Sequence, residues 1–159
     1  MTEVSADDRW AIMDLYADYS ACLSSGNLER WADFFTEDCR YVVQPRENFD
    51  AGLPLALMRL ESKGMLQDRI FGVRNTLYFA PYYQRIIVGV PRLHFDAPDQ
   101  CKSEANFMVV RTKDAAPSDV FVAGRYLDEL HKQEGQWRWR RRLCVLDTEL
   151  IPNSMIYPV

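Results

Sequence analysis

Residues 137 to 142, Trp-Arg-Trp-Arg-Arg-Arg, place two tryptophans and four arginines in six consecutive positions. Arginines on phosphates with rings under bases would grip single-stranded nucleic acid. The same residue types also concentrate at the hot spots of protein–protein interfaces. Net charge separates the two readings. The 159-residue chain carries 19 Lys and Arg against 23 Asp and Glu, a net charge of −4, with a pI near 5.2. A dedicated nucleic-acid domain is basic, with a pI above about 9. The arginine cluster is therefore local to an acidic body, and a protein partner suits it better. As a strand, the segment sends Trp137, Trp139, Arg141, Leu143 and Val145 one way and Arg138, Arg140, Arg142, Cys144 and Leu146 the other. The plainer alternative is tryptophans packed on helices with solvated arginines opposite.

Metal chemistry lacks its ligands. A two-histidine, one-carboxylate iron site needs two well-placed histidines. The chain has His94 and His131 alone, in separate expected strands. A Rieske cluster needs closely spaced Cys and His pairs, and no cysteine lies within four residues of a histidine. Cys22, Cys39, Cys101 and Cys144 are dispersed and read as reduced thiols. Neither GxxxxGK[ST] nor GxGxxG occurs, and glycine is scarce at seven residues, so phosphate cradling is not expected. General acid/base catalysis needs less: one carboxylate or histidine beside a tyrosine in an apolar cavity. Asp38, Asp68, His94, Tyr16 and Tyr41 are the candidates, although Asp68 beside Arg69 is as readily a structural ion pair.

The elements that must position these residues follow from periodicity. Ser5 is expected to cap a first helix, with Asp8 as its capping-box partner. Trp10, Met13, Ala17 and Ala21 form one stripe of it, broadened by Ile12, Tyr16, Tyr19 and Leu23. Ser24-Ser25-Gly26 ends that helix. Asn27 caps a short second one with Leu28, Trp31, Phe34 and Phe35 inward. Residues 39–44 read as a strand stopped by Pro45, and 46–52 as a loop. A third helix is expected from Pro54 to about Gly64, then a short helical piece over 65–72. Strands are expected at 74–79, 82–95, 103–113, 119–132 and 136–149, with turns at Ala80-Pro81, Ala97-Pro98, Ala116-Pro117 and Glu134-Gly135. Helices followed by a long antiparallel meander predict an α+β fold: one domain over 1–159, helices closing a strongly curved sheet into a cone. Nothing resembles a signal peptide or a membrane span, so a soluble cytoplasmic protein is expected, bound to neither membrane nor nucleic acid.

Two further segments carry partner chemistry. Residues 68–92 hold Asp68, Arg69, Arg74, Arg85 and Arg92 with Tyr78, Tyr82 and Tyr83; the tail from 151 to 159 holds Ile151, Met155, Ile156, Tyr157 and Val159. Left uncovered, these apolar residues would exceed the patch a monomer normally exposes.

The runs QPRENFDAGLP (44–54), LESKGMLQDRIFGVRNT (60–76), PYYQRIIVGVPR (81–92) and IPNSMIYPV (151–159), in that order, resemble the small (β) subunits of aromatic-ring-hydroxylating Rieske oxygenases. The likeness is nearest to the salicylate 5-hydroxylase branch, then to the terephthalate and anthranilate branches. It implies the cystatin-like cone of nuclear transport factor 2, and three small subunits beneath three large ones. The large subunits would hold the Rieske 2Fe-2S cluster and the mononuclear iron, fed through a ferredoxin and its reductase. It implies no metal, cofactor or catalytic residue in this chain, a mainly structural role, and an aromatic substrate of the salicylate or benzoate type. The family's DR…R segment matches Asp68, Arg69 and Arg74, and its aromatic-arginine strand matches Tyr82, Tyr83 and Arg85. The next position, commonly His in relatives, is Ile86, so a contact made there would be apolar. With Trp137, Trp139, Arg141, Ile156 and Tyr157, these residues form the expected subunit interface. Two rival readings stay open: a free-standing isomerase or dehydratase of the same cone fold, and a ligand-binding protein with an apolar pocket.

Overall fold

Ser5 opens the first helix as its position predicts, its hydroxyl accepting the Asp8 N–H at 3.3 Å. The Asp8 side chain does not return to close a capping box. It reaches instead to Lys132 Nζ at 2.8 Å and Trp137 Nε1 at 2.9 Å, tying the helix start to the sheet. The computed structural model describes residues 5–151 and 154–159. Residues 1–4 of the N-terminal stretch, and Pro152 and Asn153 within the tail segment, lie outside the described residues.

Helix α1 (Ala6–Ser24) buries Ile12, Tyr16, Tyr19 and Leu23. Of the two stripes expected, this one faces the core; Trp10 stands 64% exposed. A 3₁₀ helix, Leu28–Phe34, turns Leu28 and Trp31 inward and leads into strand β1 (Phe35–Pro45). Residues 46–52, expected as a loop, begin with the short helix α2 (Arg46–Asp50). The helix expected from Pro54 to Gly64 is absent. Met58–Leu60 forms strand β2 instead, antiparallel to β1 with Val42 opposite Arg59. The piece expected over 65–72 is a full helix, α3 (Lys63–Asn75), with the Ser62 hydroxyl accepting the Met65 N–H. Arg74 and Asn75 therefore end a helix rather than start a strand, and 76–81 is a connection.

The remaining strands are β3 (Tyr82–Val88), β4 (Arg92–Ala97), β5 (Gln100–Lys113), β6 (Asp119–Gln133) and β7 (Gln136–Leu146). The expected single strand over 82–95 breaks at Gly89-Val90-Pro91, since proline cannot donate to a ladder. The turns at 116–117 and 134–135 fall between strands, and the one expected at 97–98 lies one residue on, at Pro98-Asp99, with Ala97 still in β4. At the last, Glu134 and Gly135 have φ of 51° and 77°, the two left-handed residues that a tight hairpin requires.

The sheet runs β2-β1-β7-β6-β5-β3, with β4 also paired to β5. It is mixed rather than wholly antiparallel, because β1 joins β7 in parallel. Period two sends Cys101, Ala105, Phe107 and Val109 of β5 and Val122, Tyr126 and Leu130 of β6 into one core with α1 and α3. Gly124 lies where β6 meets β7 most closely: a Cβ there would stand 2.0 Å from the Val145 carbonyl oxygen. On the opposite face a small second cluster joins Val42, Leu143 and Val145 beneath Phe49 of α2.

β7 carries the irregularity that matters most. Glu129 pairs with Arg141 and Leu130 with Trp139, so Arg140 is an extra residue, a β-bulge. Alternation slips by one position there. Trp137 and Trp139 share the core face with Arg142, Cys144 and Leu146, and the strict two-face division expected for this strand fails after Trp139.

Candidate functional site

A charge placed inside such a core costs several kcal/mol unless it is paired and its hydrogen-bonding capacity used. The bulge places one there: Arg142, entirely shielded from solvent. Asp128 lies directly opposite it on β6. Arg142 Nε donates to Asp128 Oδ1 at 3.1 Å and Nη2 to Oδ2 at 2.7 Å, a two-pronged pair. Oδ2 also accepts the Tyr16 hydroxyl at 2.5 Å and Trp139 Nε1 at 3.0 Å. With its proton committed to Asp128, Tyr16 accepts from the Ser103 hydroxyl at 2.8 Å. Above and below, the guanidinium carbon lies 3.9 Å from the ring centroids of Tyr126 and Trp139 and 4.3 Å from that of Tyr19. Phe107 stacks on the Tyr126 ring at 4.0 Å.

The electrostatics hold this set in one state. Burial works against the Arg142 charge, and the Asp128 carboxylate outweighs it and keeps the guanidinium protonated. Burial first and the Asp128 charge second push the Tyr16 phenol well above its ordinary range. A general base needs a free lone pair within reach of substrate. Asp128 spends its oxygens on four donors and is shut away from solvent. Tyr16, Ser103 and Asp128 are an acid/base inventory arranged as a structural strut.

The second polar point inside the cone is where the tail ends up. Tyr19 and Tyr41 hydroxyls each donate to the Val159 main-chain oxygen at 2.9 Å, and Val159 is fully buried. Trp31 Nε1 supports Tyr19 from behind at 3.2 Å.

The five residues proposed above for acid/base work do not assemble. Tyr16 and Tyr41 are inside, committed to Asp128 and Val159. Asp38 lies on the surface, where Thr36, then Arg140, hold its carboxyl below the usual range. His94 is exposed beside Asp96, and Asp68 is exposed on α3. Among the described residues no three of His, Cys, Asp and Glu gather as metal ligands would. The functional core that sequence reasoning missed is Asp128, Arg142 and Ser103. One signal was available: Asp128 shares the parity of Tyr126 and Leu130, an acid on the apolar face of its strand.

The expected interface residues divide by location. Asp68, Tyr83, Arg85 and Arg141 are exposed. Arg74 pairs with Glu29 at 2.8 Å and donates to the Gly26 carbonyl at 2.7 Å, locking α3 to the end of α1. Arg69 grips the Met155 and Ile156 carbonyls, and Tyr82 packs on Tyr157. Trp137 and Trp139 lie within the core of their own chain. Ile86 is buried too.

With this geometry in hand, the comparisons with known proteins fall into place. The model of the SnoaL-like domain family matches residues 4–143. The subunit beta 2 of the terminal oxygenase component of terephthalate 1,2-dioxygenase from Comamonas is 32% identical over 143 residues, 90% of this chain and 93% of that one. The small subunit of anthranilate 1,2-dioxygenase from Burkholderia cepacia is 28% identical, covering 89% and 88%. A crystal structure from Novosphingobium aromaticivorans, described as the beta subunit of an aromatic-ring-hydroxylating dioxygenase, superposes with a TM-score of 0.88. It is 34% identical, covering 96% of this chain and 97% of that one. This chain belongs to the small-subunit family of aromatic-ring-hydroxylating dioxygenases. More distant solved structures, under 25% identical, share the cystatin-like fold of this small subunit. Within that fold the small subunit has filled its cone: aromatic rings, the Asp128–Arg142 strut and Val159 occupy the space between helices and sheet. A depression of about 620 Å³ lies outside, open on the other face of the sheet beside Arg92, His94, Leu127 and Arg141.

Proposed function

We propose that this chain is the non-catalytic small subunit of a three-component aromatic ring hydroxylase, a scaffold that seats large oxygenase subunits. The large subunits hold the Rieske 2Fe-2S cluster and the mononuclear iron, and a ferredoxin and its reductase deliver electrons to them. Three small and three large subunits make the particle, in the cytoplasm, and its substrate is a benzoate-type aromatic such as salicylate. Family membership over the length of the chain supports the subunit role. The observation that carries the non-catalytic part is Asp128: this carboxylate is buried, paired to Arg142 and bonded to Tyr16 and Trp139, out of a substrate's reach.

Docking falls to the exposed residues of segment 68–92 and of the Trp/Arg strand. Asp68 on α3, Tyr83 and Arg85 on the edge strand β3, and Arg141 on the outer sheet face present charge and aromatic area together. Phe71 at 64% and Tyr83 at 80% exposure are apolar groups that a partner would cover. Trp137 and Trp139 contribute from inside, by fixing the strand that carries Arg141.

The test is co-expression with the large oxygenase subunit and purification through a tag on this chain. Mass, iron content and visible spectrum are measured on the product. A brown particle with equal numbers of both subunits, and iron only when the large one is present, is expected. A colourless chain that never retains the large subunit at any salt concentration, yet turns over an aromatic substrate alone, would overturn the proposal.

A further inference from the structure

Residues 154–159 belong to no helix or strand, yet they are held like a bound peptide. Four elements recognise their backbone. Arg69 of α3 donates to the Met155 carbonyl at 3.0 Å and the Ile156 carbonyl at 2.9 Å. Gln84 of β3 donates to the Pro158 carbonyl at 3.3 Å. Tyr19 of α1 and Tyr41 of β1 both donate to the Val159 main-chain oxygen, and the Tyr41 oxygen also accepts the Val159 N–H at 2.9 Å. Side-chain recognition accompanies this. The Tyr157 ring meets Phe79 edge-on at 5.4 Å and Tyr82 at 4.8 Å. Pro158 and Val159 are buried.

Ordinary packing does not call for so many side chains directed at the main-chain oxygens of one short segment, here those of residues 155, 156, 158 and 159. A segment outside the sheet has no ladder to satisfy its backbone, so the receiving surface must supply every partner. That surface is built from α1, α3, β1 and β3, elements held by their own contacts: Arg74 of α3 to Glu29 of the 3₁₀ helix and to the Gly26 carbonyl just past α1, and Ser20 and Ser24 to the Ile86 backbone between α1 and β3. It also keeps unused capacity, since Arg69 Nε and Gln84 Oε1 are buried without partners among the described residues.

We propose that the open end of the cone is a peptide-binding site, occupied in cis by residues 155–159, with the class of ligand an extended aliphatic-Tyr-Pro-Val segment. The site is preformed by the body of the chain. Removing the segment empties it without dismantling it, and the same peptide supplied from outside then fills it. The interior of this small subunit is thus closed by a ligand that it carries itself, independently of how the outer surface docks a large subunit.

The chain is stopped after Ser154 and purified through the same tag beside the full chain, and the probe is the synthetic peptide Met-Ile-Tyr-Pro-Val. Calorimetry is expected to show the peptide binding the shortened chain and at least ten-fold less to the full one, with thermal stability restored by the peptide. Tyr41→Phe in the shortened chain removes both a donor and an acceptor and weakens the peptide several-fold. If the shortened chain folds only with peptide present, the site is not preformed and the proposal falls. If it does not fold at all, amide exchange in the full chain decides. The Val159 N–H is expected to exchange at least a hundred-fold more slowly than that of exposed Leu150, and Arg69→Gln to speed it. A shortened chain of unchanged stability that ignores the peptide, or a Val159 amide exchanging as fast as Leu150, would overturn the proposal.

Discussion

Replacing Arg142 by Met tests the account of the core most directly. The substitution keeps the stem and removes the charge, leaving Asp128 buried with only Tyr16 and Trp139 as donors. Stranding one member of a fully buried pair costs about 3–5 kcal/mol. Asp128→Asn strands the guanidinium instead, at a similar cost of about 3–5 kcal/mol. Against a total stability on the order of 5–15 kcal/mol, either change is severe. The double variant strands nothing. The amide oxygen introduced at position 128 still accepts from Tyr16 and Trp139, and the thioether introduced at position 142 lies among the rings of Tyr19, Tyr126 and Trp139. Its expected cost is only about 2 kcal/mol, so the two substitutions couple by about 4–8 kcal/mol. Urea titration followed by tryptophan fluorescence measures all four corners of the cycle, with Trp139 reporting from within the network. An Arg142→Met variant that loses less than about 1 kcal/mol, or a double variant whose loss equals the sum of the singles within about 0.5 kcal/mol, would refute the strut.

Other expectations follow from the same packing. Gly124→Ala drives a methyl group into the Val145 carbonyl and is expected to cost about 3 kcal/mol in urea titration, since a backbone atom cannot step aside. The free edge of β3 is covered by α1: Ser20 donates to the Ile86 carbonyl and Ser24 accepts its N–H. Ser20→Ala with Ser24→Ala is therefore expected to lose about 2 kcal/mol and to raise aggregation measured by light scattering. Burial pushes the thiols of Cys39 and Cys101 up to about 11 and that of Cys144 up to about 12. An aromatic disulfide reagent at pH 8 should therefore label Cys22 alone in the native chain and all four cysteines in urea. The same shifts set an alkaline limit. The folded chain keeps thiol protons that the unfolded chain, with thiol values near about 8.5, gives up. Stability is expected to be full below about pH 8.5 and to fall as pH rises toward 11–12, read as a falling urea midpoint.

How far the sequence could be read depended on where local pattern and global pairing agree. The first helix, the turns and the four long strands were legible because capping residues, positive-φ turn residues and period-two alternation act within a few positions of one another. The segment from Pro54 to Gly64 was not. Its Leu55, Met58 and Leu60 spacing suits a helix, but Met58–Leu60 gains more by pairing with Tyr41–Val43 of β1, a distant partner that periodicity does not see. The same blindness affected the site. Tyr16 was singled out from its residue type, but Asp128 and Arg142 acquire meaning only as cross-strand neighbours.

Arg140 shows why one residue decides so much. Without the bulge, strict alternation after Trp139 would turn Arg141 inward and send Arg142 to solvent. Asp128 would then be a buried carboxylate lacking its counter-charge, still bonded to Tyr16 and Trp139. That is the arrangement a cone-shaped enzyme would want: an acid with a free face beside a tyrosine and a serine. The extra residue instead places a guanidinium on that face, and the aromatic rings of Tyr19, Tyr126 and Trp139 close around it. The run of four arginines in six positions, which first suggested a polyanion surface, thus serves two purposes. Arg138, Arg140 and Arg141 remain on the outer side, where Arg140 meets Asp38 and Arg141 meets Glu129. Arg142 turns an acid/base inventory into a rigid core, and a rigid core is what a scaffold for other subunits requires.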